Sequence, residues 1–189
     1  MIIEFVDFCK ELFPSISPYT AERTIEAIKQ FHETGRTVEY LTKIPFDNIC
    51  QGDIFDNVPF ETYNDNGVKT CAKLKAQILT NTCDCEHDKY LTFAAIFPIA
   101  EFPHMQETIR KNIAYQFMYM PDKRVEDFVI DFSLLTTIPR VIVNKAMEMK
   151  KITRLASLSQ MGYYLFLTKL TVFFMRPEDK GINESRVKQ

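Results

Sequence analysis

The chain has 189 residues, 46% hydrophobic, 13% aromatic and 25% charged, with a formal net charge of -2. One domain with a sizeable core fits those figures. The charge balance leaves no whole-molecule field to attract nucleic acid, so any phosphate contact has to come from a local basic patch. Five cysteines, an odd number, and no basic start leading into an apolar signal core place the expected location in a reducing compartment, the cytoplasm. The weakly charged stretch 155–175 contains Lys169 and several polar residues. It reaches the length of a bilayer span but not the apolarity, so a buried or docked helix is expected and no membrane contact.

In chain order, residues 2–13 carry apolar side chains at helical spacing up to Pro14. A second helix starts at Ser17 as N-cap with Pro18 in its first turn, and stops at Gly35. From Gln51 the pattern changes to short β-rich runs. Gly52-Asp53-Ile54-Phe55 opens a strand, Asn64-Asp65-Asn66-Gly67 is a hairpin turn, and 71–80 and 90–99 are two further strands. The second of these is almost continuously apolar, as in a strand covered on both faces. Residues 104–114 read as helix, 115–120 and 127–132 as a pair of strands joined through Pro121-Asp122, and 140–154 as a basic helix. Ser159 caps a last helix to about Met175 that is apolar on nearly every side. Such a helix either inserts into the fold or docks a second chain.

The densest polar cluster is Thr80-Asn81-Thr82-Cys83-Asp84-Cys85-Glu86-His87-Asp88. If the preceding strand persists, period-two alternation sets Cys83, Cys85 and His87 on one face as candidate metal ligands. The spacing is poor for a zinc site, and no metal or other cofactor is expected. In the plainer reading Cys83 packs inward and Glu86, His87 and Asp88 form a solvated turn. Asp53 and Asp84 approach each other if the strands close into a barrel, as a carboxylate pair or as ordinary loop caps. Arg140, Lys145, Lys150, Lys151 and Arg154 are the local basic patch, either a contact for RNA or a solvated face balanced by acidic residues.

The order Gln51-Gly52-Asp53-Ile54, a hairpin, Ala76-Gln77-Ile78-Leu79-Thr80-Asn81 and then Leu91-Thr92-Phe93-Ala94-Ala95-Ile96-Phe97-Pro98-Ile99 resembles the SH3-like barrel of the PemK/MazF family over residues 51–102. Many members are toxins that cut RNA without a metal. The resemblance implies a small β barrel, and a phosphate site whose catalytic candidates are Lys73, Lys75, Thr80, Thr82 and Asp84. The chain has Lys73-Leu74-Lys75 where the family's ribonucleases carry an arginine, and lysine lacks the planar fork that grips phosphate oxygens. A second resemblance is to uncharacterised bacterial proteins with a T-C-D turn and an L-T-T-I-P-R segment followed by R-x-A-S-L-S. It groups Thr82 and Asp84 with Arg140 and Arg154, as an ion-paired frame or a ligand clamp.

The expectation is therefore an α+β chain forming one domain. It comprises a helical N-terminal extension at 1–50, a β-barrel core at 51–135, a C-terminal helical segment at 136–177 and a tail at 178–189. Its expected role is that of a binding or adaptor module in a bacterial toxin–antitoxin or phage-defence system, with a metal-independent ribonuclease toxin as the alternative. Asp53, Asn81, Cys83, Arg140 and Arg154 are the candidate binding residues. A protein partner or second copy is expected through the C-terminal helix, and RNA is a possible ligand.

Overall fold

The structure, a computed structural model, describes residues 39–125, 127–175 and Ser185. The expected helices at 2–13 and 17–35, and nearly all of the expected tail, lie outside the described residues. The elements run β1 (Ile54–Tyr63), β2 (Lys69–Ile78), α1 (Thr82–His87), β3 (Tyr90–Pro98), α2 (Gln106–Arg110), β4 (Phe117–Tyr119), β5 (Phe128–Pro139), α3 (Arg140–Glu148), β6 (Thr153–Ala156) and α4 (Gln160–Met175). The six strands form one antiparallel sheet in the order β4-β5-β3-β2-β1-β6. The fold is α+β, and the sheet is open: its ladder ends at β4 on one side and β6 on the other. Among the described residues no helix is long and apolar enough to cross a membrane.

Turn chemistry and apolar runs place the central strands. The Asn64 side chain accepts the amides of Asn66 and Val68 at 3.0 and 2.9 Å and closes the β1–β2 hairpin. β3 lies between β2 and β5 and is covered on both faces, as its unbroken apolar run implies. One face packs Ile54, Ala94, Ile96, Ile130 and Phe132 against Leu165 and Phe166 of α4. The other packs Phe55, Val58, Phe60, Leu91 and Phe93 against Cys85 of α1 and Val143 of α3. At about 2 kcal/mol for each fully buried large side chain, these two layers are the main source of stability. Phe55 and Val58 share a face although three positions apart, because the β1–β2 register shifts between them. Asn57, at φ 62°, supplies the left-handed residue that this bulge needs.

Several elements differ from expectation. Residues 39–50 form no helix; they are irregular, with bends at 43–44 and 47–48 and one bridge from Leu41 to Leu158. The helix expected at 104–114 shortens to α2, and Asn112 beyond it is left-handed at φ 53°. β5 continues to Pro139, past the expected end of the β core. The basic helix stops at Glu148, Lys150 takes φ 54°, and Arg154 lies on the edge strand β6 rather than on a helix.

α4 starts as expected: the Ser159 hydroxyl accepts the Gly162 amide at 3.1 Å. It is inserted rather than displayed. Tyr164, Leu165 and Phe166 are buried, the Phe173 ring lies 5.9 Å from that of Phe132, and Phe174 alone of the helix's described large apolar side chains is mostly exposed. Phe173 is thus a packing residue, and a docking role for this helix rests on Phe174.

Lys169 of α4 is buried too, its ammonium donating to the carbonyls of Asn112 and Ala114 at 3.0 and 2.8 Å. Burial lowers its pKa from 10.5 to about 8. Between those two values the unfolded chain holds a proton that the folded chain has lost, so this group makes stability rise with pH. The unfolding free energy of wild type minus that of Lys169→Met is expected to grow by up to about 3 kcal/mol across that window. Urea titrations at stepped pH measure it.

Candidate functional site

The polar centre of the molecule is built on the turn that precedes β1. The Asp53 amide donates to the Cys50 carbonyl and the Cys50 amide donates to Asp53 Oδ2, both at 3.0 Å. Gly52 makes the turn possible: its φ is +89°, and a Cβ there would run into the Leu158 side chain. β6 pairs with β1 so that Arg154 is the partner of Phe55. From there Arg154 Nη1 reaches Asp53 Oδ2 at 3.1 Å. Nη1 also donates to the Asn48 carbonyl, and Nη2 donates to the carbonyls of Phe46 and, at 3.2 Å, Asp47. The Ser157 hydroxyl accepts the Phe46 amide at 3.1 Å.

Asp53 is fully buried and the Arg154 side chain is 14% exposed. Burial holds the Asp53 carboxyl above the ordinary carboxylate range, against the lowering pull of the Cys50 amide, Ser157 and Arg154. Asp53 Oδ1 and Gln77 Oε1 have no hydrogen-bond partner among the described residues.

Around this pair, Gln51 ties three elements together. Its amide donates to Thr82 Oγ1 at 3.0 Å, its Nε2 donates to the Leu79 carbonyl at 2.8 Å, and its Oε1 accepts the Tyr163 hydroxyl at 3.0 Å. Gln77 Nε2 donates to the Gly52 carbonyl at 3.0 Å, and Thr80 Oγ1 accepts the Thr92 amide at 2.8 Å. A second carboxylate–guanidinium pair repeats the pattern farther up the segment. Arg124 pairs with the buried Asp122 at 2.9 Å and donates to the carbonyls of Leu41 and Thr42, while Asp122 Oδ2 accepts the Leu41 amide. Although burial opposes it, Arg124 holds Asp122 below the usual carboxylate range.

Of the residues singled out in the sequence, the structure joins Asp53 to Arg154. Arg154 was expected beside Asp84, but it answers Asp53, and Asp84 is exposed in the first turn of α1. Arg140 donates through Nε to the Asp88 carbonyl at 2.9 Å. Lys73 and Lys75 lie on β2, and Lys75 stands 5.0 Å from the centre of the Phe128 ring. Lys75 is three residues before the end of β2, about 10 Å at 3.3 Å per residue, so neither lysine shares a cluster with Thr80, Thr82 and Asp84.

The Cys83, Cys85 and His87 alignment is corrected as well. Asn81 accepts the Cys83 amide at 3.0 Å and caps α1, so a helix forms where a strand was expected. Alternate positions on a helix point about 200° apart. Cys85 therefore turns inward, donating to the Thr80 carbonyl at 3.4 Å, while Cys83 is exposed, the reverse of the expected packing. Among the described residues no three His, Cys, Asp or Glu side chains converge as a metal-binding group. Burial pushes the Cys85 thiol up to about 12. In native protein at pH 8, iodoacetamide is expected to modify Cys71 and Cys83, and Cys85 only after urea is added; peptide mass mapping checks this.

Gln51, Gln77, Ser157 and Tyr163 were not recognised as parts of the centre from the sequence. The available signal was Gln77, an amide inside an otherwise apolar strand end. The chain matches no family model, and no curated protein is similar to it.

Proposed function

We propose that the protein is a binding module without bond-breaking chemistry of its own, an adaptor in a bacterial toxin–antitoxin or phage-defence system that works in the cytoplasm. The observation that carries this reading is the use to which the chemically capable groups are put. Asp53 and Arg154 clasp the segment 46–53, Thr80 and Thr82 accept backbone amides, and Cys85 is buried with a weakly acidic thiol. Each supports the fold, and a general base or nucleophile needs a free face toward its substrate.

Kinship with the PemK/MazF barrel belongs to the same proposal. It is supported by the antiparallel succession β1, β2, β3 over the residues that carry the resemblance. The ribonuclease alternative keeps one supporting feature, since neither Lys73 nor Lys75 has an anionic partner among the described residues. Incubation with total RNA separates the two readings. Intact RNA is expected at equimolar protein, and cleavage that disappears in Lys73→Ala/Lys75→Ala contradicts the adaptor reading.

A further inference from the structure

β2 is a strand whose outer half has a neighbour on one side only. β1 pairs with it along its whole length, from Lys69 to Gln77, but β3 pairs only from Lys75 to Ile78. Extending the β3 register, Phe97 and Pro98 come next, yet both pair only with β5, and a proline has no amide hydrogen to offer β2. Residues 69–74 therefore present an open strand edge among the described residues, and Lys69 to Lys73 are exposed. Alternation sets Lys69, Lys73 and Lys75 on one face of this strand. Lys69 is paired with Glu61 at 2.7 Å, whereas Lys73 and Lys75 have no anionic partner among the described residues. The opposite edge of the same hairpin, on β1, carries Pro59 and Glu61, so it has one amide donor fewer and a residue of the opposite charge.

We infer that the edge of β2 at residues 69–74 is a docking site for an extended acidic peptide segment of a partner protein, which adds as a strand beside β2 with carboxylates opposite Lys73 and within diagonal reach of Lys75, whose own strand neighbour is Ile96 of β3. Strand addition supplies main-chain hydrogen bonds for affinity, and the side chains on one face supply selectivity. Charge decides between occupants. A second copy paired edge to edge would bring two lysine rows together, and like charges on paired strands are destabilising. An acidic strand converts the same lysines into cross-strand ion pairs. This inference rests on the adaptor reading and names the partner chemistry.

The test uses the full chain and a synthetic nine-residue peptide of alternating glutamate and valine, with calorimetry for affinity and hydrogen exchange for location. The peptide is expected to bind, to slow exchange at 69–74, and to lose roughly tenfold in affinity in Lys73→Glu/Lys75→Glu, the size expected when one directly opposed and one diagonal pair are reversed in sign. An N-methylated peptide of the same sequence, which cannot form the main-chain ladder, should fail to bind.

Binding that is indifferent to the double substitution, protection elsewhere, or no binding overturns the inference. So does a concentration-dependent dimer with 69–74 protected, which makes a second copy the occupant, or oligouridine displacing the peptide with higher affinity, which makes it RNA. The adaptor reading itself fails differently, through lysine-dependent RNA cleavage, so the two failures are distinguishable.

Discussion

Arg154→Met is expected to destabilise the protein by about 3–5 kcal/mol, the usual cost of removing one member of a buried ion pair. Asp53 stays fully buried, and its Oδ2 loses the guanidinium while keeping the Cys50 amide. The carbonyls of Phe46, Asp47 and Asn48 lose their donor at the same time. The pH dependence identifies the cause. Burial already raises the Asp53 pKa above 3.8, and without the guanidinium it rises further. A carboxyl whose folded pKa exceeds its unfolded value binds its proton first in the folded state, so its cost is full above the folded pKa and shrinks as pH falls through it. The deficit of Arg154→Met, read from urea midpoints, is therefore expected to be largest near pH 7 and smaller at pH 5. A deficit that is independent of pH would mean that the lost carbonyl contacts, and not the stranded carboxylate, set the cost.

The second large effect has a sign opposite to helix propensity. Gly162 lies in the first turn of α4, and in an exposed helix Gly→Ala gains about 1 kcal/mol. Here a Cβ at 162 would overlap the Tyr40 carbonyl oxygen and sit 3.0 Å from its carbon. That carbonyl is not free to move away, because it accepts the Ser159 amide at 2.9 Å and its neighbour Leu41 is bridged to Leu158. Backbone overlap of this kind costs about 1–3 kcal/mol. Gly162→Ala should lower the urea midpoint, and a raised midpoint would show that residues 40–42 do not rest on α4 as described.

What could be read from the residues, and what could not, divides by the range of the interaction. The hairpin at Asn64 to Gly67, the doubly covered β3 and the Ser159 cap of α4 each depend on side chains within a few positions, so local pattern was sufficient. α1 is equally local, but one Asn81 side chain capping six residues outweighed a β-like approach, and period-two reasoning then misplaced Cys83 and Cys85. β6 is four residues long and begins shortly after a basic helix, too short for alternation to show. Asp53 and Arg154 were both singled out, each for another partner. They are 101 positions apart, and only the pairing of β6 with β1 brings them together. The clasping of residues 41–53 by two arginines was invisible for the same reason, since carbonyl acceptors leave no mark in a sequence.

The central claim is that Asp53 and Arg154 act as one architectural unit. A double-mutant cycle with Asp53→Asn, Arg154→Met and the combined variant tests it most directly through urea unfolding at pH 7. The account predicts that the double variant is more stable than the sum of the single losses by about 0.5–3 kcal/mol, the range for residues in direct contact. Additive losses would contradict it.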